Sequence, residues 1–381
     1  MQPPKRTPER RRFPSETSLP QTTSVKRDRP ARPGKPAADY QSDEIIAAAC
    51  NYLCEGHSPA KIASLVEAKF GVKMRRETPY KLIQQAARKQ WLRFVAPAAG
   101  KLGGEILNRY SFLERADVVT TLLANDVAEH TAELVLELIR QLQRPPTSKK
   151  EIHLGFAGGY SMRRVARKLA ELLKEQSHDL PKKLVLHALV GGFDVNIPGT
   201  APNAFLAFFD DAVIQSVVET EFVLLHAPPI IHPNQRDELL LLPSINEAYE
   251  RMRAGLDIVL TSAGSIHDKD SVLRRAHAKH REQMDEMIEQ DGCVGDMLWL
   301  PLSKQKPLDN SKYPYRAMTL LDLTELPDLI SRGTKVVLSI GPCGRCNRLK
   351  TDVLADILDL PTALVTHLVA DSRTTRHLLG T

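Results

Sequence analysis

The feature that most constrains this chain is a recurring order: an apolar segment, a glycine-led loop, then an amphipathic helical stretch. It is clearest over residues 292–381. Lys335-Val336-Val337-Leu338-Ser339-Ile340-Gly341 reads as a strand entering a loop, and Lys350-Thr351-Asp352-Val353-Leu354 opens a helix. Ala363 to Asp371 carries a short strand, and a closing helix follows. That order is one βαβ step of a parallel sheet, where ligands sit beyond the carboxyl ends of the strands. Upstream, Ile152–Phe156, Lys183–Leu189, Phe222–Leu225 and Asp257–Leu260 read as further strands with helices between them, Met162–Leu173 among these. From Leu107 to Leu142 the spacing of Val118, Leu122, Leu123, Val127, Leu134, Leu138 and Ile139 predicts helix, broken by Pro145-Pro146. Strands alternating with helices predict a doubly wound, mostly parallel α/β sheet.

Charge separates the front of the chain from its body. Residues 1–40 hold ten Lys/Arg against four Asp/Glu, and residues 41–110 hold eleven against six. The rest carries 31 against 36, so a basic front precedes an acidic body and suggests contact with a polyanion. Eight prolines and few large apolar residues in 1–40 predict a disordered tail. No apolar run approaches the ~18 residues of a membrane helix, and the polar first 39 residues show no secretory segment. Five unevenly spaced cysteines fit a reducing cytoplasm better than a disulfide framework.

Residues 41–97 predict a compact unit. Ile45, Ile46, Ala49 and Leu53 fall at helical spacing, and Cys50 and Cys54 look like core packing on the same helix. Ser58-Pro59 is a helix start and Phe70-Gly71 a helix stop, and a third helix is expected over Glu77–Gln90, with Leu82, Ile83 and Ala86 inward. Trp91–Val95 then reads as a short strand. Three helices and a strand suit a winged helix-turn-helix. Arg75, Arg76, Thr78, Tyr80, Lys81 and Gln84, at the front of the third helix, are the candidate DNA contacts. A helical bundle with a solvated basic face is the alternative. Residues 98–112 are expected to connect this unit to an effector domain over 113–381.

Two stretches carry a family resemblance. Gly292-Cys293-Val294-Gly295-Asp296, the 335–354 step and Leu368-Val369-Ala370-Asp371-Ser372-Arg373-Thr374-Thr375-Arg376-His377-Leu378-Leu379 resemble, in this order, the effector domain of SorC/DeoR-type bacterial transcriptional regulators. Lys81-Leu82-Ile83-Gln84-Gln85-Ala86-Ala87-Arg88-Lys89-Gln90-Trp91-Leu92 is similar to the end of their DNA-binding unit, although Ala87 and Gln90 stand where arginine and glycine are usual. The resemblance implies the fold of phosphosugar isomerases and CoA transferases, a sugar or sugar-phosphate effector, double-stranded DNA as partner, self-association as dimer or tetramer, and a cytoplasmic protein. It implies no cofactor.

The candidate effector site follows the strand ends. Gly158-Gly159-Tyr160-Ser161 lies between a strand and a helix, where backbone N–H groups and the helix dipole favour an anion. Gly264 and Ser265 end another strand, Asp296 closes the Gly292–Asp296 turn, and Lys350 opens a helix where it would neutralise a phosphate. A turn aspartate bonding its own backbone and a solvated lysine are the alternatives. Val190 occupies a position where some phosphosugar-binding relatives place arginine, while Asn196, Thr200 and Asn203 could bond a neutral polyol. Cys343-Gly344-Arg345-Cys346 is not implied by the resemblance, and Cys293 is expected at the same sheet edge, which makes the three thiols a candidate metal or redox cluster beside the alternative of small buried thiols. The whole reads as an effector-controlled DNA-binding regulator and not an enzyme, since no dedicated catalytic pair is evident. A phosphosugar isomerase-like enzyme and a domain serving oligomerisation alone are the rival readings.

Overall fold

The computed structural model describes residues 42–89, 91–92, 95–192, 198–268, 271–276 and 281–381. The chain divides into two compact units, Met1–Phe94 and Val95–Thr381. The expected tail over 1–40 lies outside the described residues.

In the first unit, α1 (Asp43–Cys54), α2 (Pro59–Phe70) and α3 (Thr78–Arg88) start and stop where local chemistry directs. The Ser42 and Ser58 hydroxyls accept from the N–H groups of Ile45 and Lys61, and Pro59 fills the first turn of α2. Gly71 ends α2 in the left-handed conformation at φ 69°. Ile45, Ile46, Ala49, Cys50, Ile62, Val66, Leu82 and Ala86 form the core. Leu53 is 39% exposed and Cys54 is exposed, so neither packs inward as its spacing suggested. Trp91 and Leu92 form a bend, and residues 93–94 of the expected strand lie outside the described residues.

The second unit opens with α4 (Gly100–Arg109), β1 (Arg115–Val119) and α5 (Ala124–Gln143). It continues through β2 (Glu151–Phe156), α6 (Tyr160–Glu175), β3 (Lys183–Ala188), two single turns α7 (Pro202–Phe205) and α8 (Ala212–Gln215), and β4 (Glu219–Val223). Next come β5 (Ile230–Ile231), α9 (Pro233–Leu240), α10 (Pro243–Ala254), β6 (Ile258–Thr261) and β7 (Ala263–Ser265). Then follow α11 (Val272–Ala276), α12 (Arg281–Glu289), β8 (Cys293–Met297), β9 (Leu300–Ser303) and β10 (Arg316–Ala317). Last are α13 (Leu326–Ser331), β11 (Lys335–Ile340), α14 (Thr351–Leu358), β12 (His367–Asp371) and α15 (Ser372–Leu379).

Seven strands form one parallel sheet in the order β1-β12-β11-β6-β2-β3-β4. From β2 the chain builds outward through β3 and β4, then returns to lay β6 on the other side of β2. The strand order therefore reverses between β2 and β6, the place where open α/β sheets hold ligands. The central strands β6 and β11 are apolar along nearly their whole length, as a sheet covered on both faces requires, while β4 at the edge carries Glu219, Thr220 and Glu221. Phe156, at the end of β2, packs its ring against Phe205 at 6.2 Å and Phe209 at 5.9 Å between centroids. A smaller antiparallel sheet, β7-β8-β9, lies beside the large one, and β5 pairs with β10.

Two expectations fail here. The helix over Leu107–Leu142 is interrupted by β1, with Val118 buried in the sheet and Leu122 and Leu123 exposed. Gly292–Asp296 is not a turn: Gly292 bends at φ 65° and the next residues enter β8. The 98–112 stretch holds α4, which buries Leu102 and Ile106.

Candidate functional site

A cavity of about 230 Å³ sits over the carboxyl ends of three adjacent strands, β2, β6 and β11. Gly158, Gly159 and Ser161 reach it from the β2–α6 junction, Ser262 to Gly264 from the β6–β7 junction, and Pro342 to Arg345 with Lys350 from the loop after β11. Asp296 of β8 and the Leu298-Trp299 hairpin tip complete it. Six of the seven sequence-predicted effector residues thus share one space.

Each glycine at the β2–α6 junction has its own reason. A Cβ on Gly158 would stand 2.7 Å from Trp299 Cε2 and 3.0 Å from the Thr200 carbonyl oxygen, so only glycine lets the indole approach. Gly159 adopts φ 108°, which side chains avoid, and donates its N–H to the Thr200 carbonyl at 2.7 Å. The turn leaves the first N–H groups of α6 at the cavity, where the helix dipole favours negative charge. Arg164, one turn further along α6, lies half-buried at the same wall, and its guanidinium packs where a side chain on Gly344 would stand.

Asp296 is 4% exposed, and its Oδ1 has no hydrogen-bond partner. Burial pushes its carboxyl up to about 7; Lys350 opposes the shift, Asp268 adds to it, and the Trp299 backbone N–H opposes it by donating to the carboxylate. Lys350 is buried too: its Nζ donates to the Ala263 carbonyl at 2.7 Å, and burial holds its pKa below the usual lysine value. It is neither a solvated lysine nor one aimed outward. Gly264 makes room for Asp296, whose Oδ1 occupies the space a Cβ would need. The Trp299 Nε1 donor is likewise buried without a partner. Leu298 and Trp299 both hold positive φ, 56° and 63°, a conformation costing non-glycine residues roughly 1–2 kcal/mol each. The cavity therefore combines one orphan acceptor, one orphan donor, a helix N-terminus, a buried lysine and a half-buried arginine. A ligand with several hydroxyls and an anionic group matches that set.

Other candidates fall elsewhere. Ser265 turns away, its hydroxyl donating to Asp352 at 2.9 Å. Asn203 is committed to Leu225, bonding that residue's backbone on both sides. Val190 is buried and bridges Thr319, the Thr200 carbonyl serves Gly159, and Asn196 lies outside the described residues. Cys293 belongs to a separate small core with Ile266, Met287 and Tyr313. The third group beside Cys343 and Cys346 is Asp268 instead. Asp371 caps α15, accepting from the Arg373 and Thr374 N–H groups. Sequence reasoning missed Arg164, Asp268 and Trp299, since no local pattern marks any of them. In the first unit Arg75, Arg76, Tyr80, Lys81 and Gln84 are exposed on or just before α3, while Thr78 is half-buried. Tyr80 is 58% exposed, unusual for an aromatic in a small helical unit.

No protein-family model matches the sequence, and no curated protein matches it. Solved structures do. A full-length sorbitol operon regulator SorC from Klebsiella pneumoniae matches at 16% identity and TM-score 0.58, covering 89% of this chain and 99% of that one. A DeoR family transcriptional regulator from Listeria monocytogenes matches at 17% identity and TM-score 0.53, covering 73% and 98%. A sugar-binding domain of a transcriptional repressor from Vibrio fischeri matches at 15% and 0.53, covering 74% and 98%. The resemblance read from residues 292–381 thus extends to three dimensions, and the chain has the fold of SorC/DeoR-type transcriptional regulators.

Proposed function

We propose that this protein is a DNA-binding transcriptional regulator whose operator affinity is set by a carbohydrate-derived effector, phosphorylated or not, held in the cavity at the β2/β6 switch point. The observation that carries the reading is that cavity, with its buried unpaired acceptor and donor and its helix N-terminus, on a chain whose other unit exposes a cationic helix front. The SorC match supports it, since it covers more of the chain than Val95–Thr381 alone can supply. In this reading the first unit is a helix-turn-helix with α3 as recognition helix, and self-association matches paired recognition helices to operator symmetry. The effector acts only through different affinities for two states of the protein. Among the described residues no helix is long and apolar enough to cross a membrane. A cytoplasmic site of action belongs to the proposal.

The test is genome-wide mapping of the tagged protein beside an Arg75→Ala/Arg76→Ala/Lys81→Ala variant. Discrete promoter peaks that vanish in the variant support the reading; diffuse, salt-sensitive binding alone overturns it. One observation favours a second reading: a carboxyl titrating near neutrality beside a buried lysine is an arrangement proton-transfer enzymes use. Turnover of sugar phosphates by the full chain would replace regulation with catalysis.

A further inference from the structure

The loop after β11 brings together groups that the regulator reading does not use. Cys343, Cys346 and Asp268 place two sulfurs and a carboxylate oxygen within 4.8 Å of one another. We propose that Asp268, Cys343 and Cys346 form a binding site for one soft divalent cation of the zinc class, set in the wall of the cavity.

Four observations converge on it. The C-x-x-C spacing is that of half a thiolate metal site, with both sulfurs supplied by one tight turn. The turn is fixed from within: the Cys343 N–H donates to the Arg348 carbonyl and the Asn347 N–H to the Cys343 carbonyl, both at 2.8 Å. Asn347 holds φ 54° to close it. Burial raises the Cys343 thiol to about 11, and against it the backbone N–H groups of Cys346 and Arg345 donate toward the sulfur, the kind of contact that orients a sulfur ligand. Finally, the Cys346 Sγ lies 3.7 Å from Asp268 Oδ1. Two donors around one tetrahedral zinc, at about 2.3 Å for sulfur and about 2.1 Å for oxygen, stand about 3.6 Å apart. The cation would take the place of the thiol proton in that contact.

Charge and chemistry choose between a cation and a disulfide. Two thiolates and a carboxylate carry three negative charges, a divalent ion removes two, and the Arg164 guanidinium against Gly344 faces the remainder. A disulfide uses the two sulfurs alone, whereas the Asp268 carboxylate, drawn in from another segment, stands in contact with the Cys346 sulfur. Thiolate donors select zinc-class ions over magnesium or calcium. Asp268 and Cys343 also line the cavity, so the ion's fourth position opens toward whatever the cavity holds.

The test loads the reduced, metal-free full-length protein with Co²⁺, follows the thiolate-to-cobalt charge-transfer absorption, and displaces the Co²⁺ with Zn²⁺. The expected result is one ion per chain, with Cys346→Ser and Asp268→Ala each weakening uptake more than about 100-fold, beyond the 10–100-fold of outer-shell changes. Cys346 is exposed, so its variant keeps the fold. Cys54→Ser, which removes the exposed member of the other close thiol pair, should leave uptake unchanged. The proposal is overturned by absent charge-transfer absorption in the wild type, by equal absorption in Cys346→Ser, or by loss in Cys54→Ser. A Cys343–Cys346 disulfide found by mass spectrometry, with no cobalt uptake after its reduction, would replace the cation site with a redox pair.

Discussion

Replacing Gly158 with alanine sets a methyl group 2.7 Å from Trp299 Cε2, nearer still to Cζ2, and 3.0 Å from the Thr200 carbonyl oxygen. Ordinary contact begins at 3.4 Å, so the ring must retreat by about 0.7 Å or more, into surroundings that leave it 6% exposed. Overpacking of this kind costs about 1–3 kcal/mol. Alanine at Gly159 meets nothing within 4 Å but must hold φ 108°, a backbone penalty of about 1–2 kcal/mol. The two losses are similar in size and different in origin, and Trp299→Leu separates them. In urea unfolding followed by circular dichroism, Gly158→Ala/Trp299→Leu should be more stable than the sum of its single changes by about 1 kcal/mol or more. Gly159→Ala/Trp299→Leu should add within about 0.5 kcal/mol. A Gly158→Ala protein as stable as wild type, or an additive first cycle, would refute the steric account.

Three further outcomes are expected. His187, fully buried beside His153 at 2.9 Å, is held neutral down to about 3, by burial first and then by His153 and Arg251. The unfolded imidazole takes its proton near 6.5, so stability is intact above that pH and falls as pH drops toward 3. The loss is about 2 kcal/mol by pH 5, and His187→Gln should flatten it; equal acid slopes in thermal melts would count against this. Above about pH 8, where the Asp296 carboxyl is ionised, Asp296→Asn should lower affinity for the best-binding sugar in a thermal-shift panel at least about tenfold, from a charged hydrogen bond worth about 1.5–3 kcal/mol, and unchanged affinity would remove Asp296 from the site. Phe156→Ala, which empties the centre of the Phe205–Phe209 cluster, should cost about 3–5 kcal/mol, and a loss below about 1 would mean the cluster collapses around the gap.

What could be read in advance was what neighbouring residues decide. Ser58-Pro59 and Gly71 bound α2 because caps act within a turn, and β2, β3 and β11 are apolar runs that only a covered parallel sheet tolerates. Strand β1 was invisible because its partner, β12, lies some 250 residues away (Arg115 opposite His367), and the apolar residues on either side continue a helical spacing. The β8–β9 hairpin was missed for the opposite reason. Tight hairpins favour Asn-Gly, and this one turns on Leu298 and Trp299, whose preferences argue against it. Glycine loops after strands located most of the cavity. Arg164 reads as an ordinary helix-surface arginine, and Asp268 as a loop acid, until the fold brings the 343–346 turn to them.

The pairing of β1 with β12 also sets the order of assembly. Strands β2, β3 and β4 are successive in sequence and can zip together with α6 soon after synthesis. The other flank cannot: β1 must wait, unpaired, until β12 is made, and a contact of that span closes slowly. The wall contributed by residues 342–350 arrives only with that late half. A nascent chain therefore carries half a sheet and no binding site, and a ligand that recognises the completed cavity can favour only the finished domain.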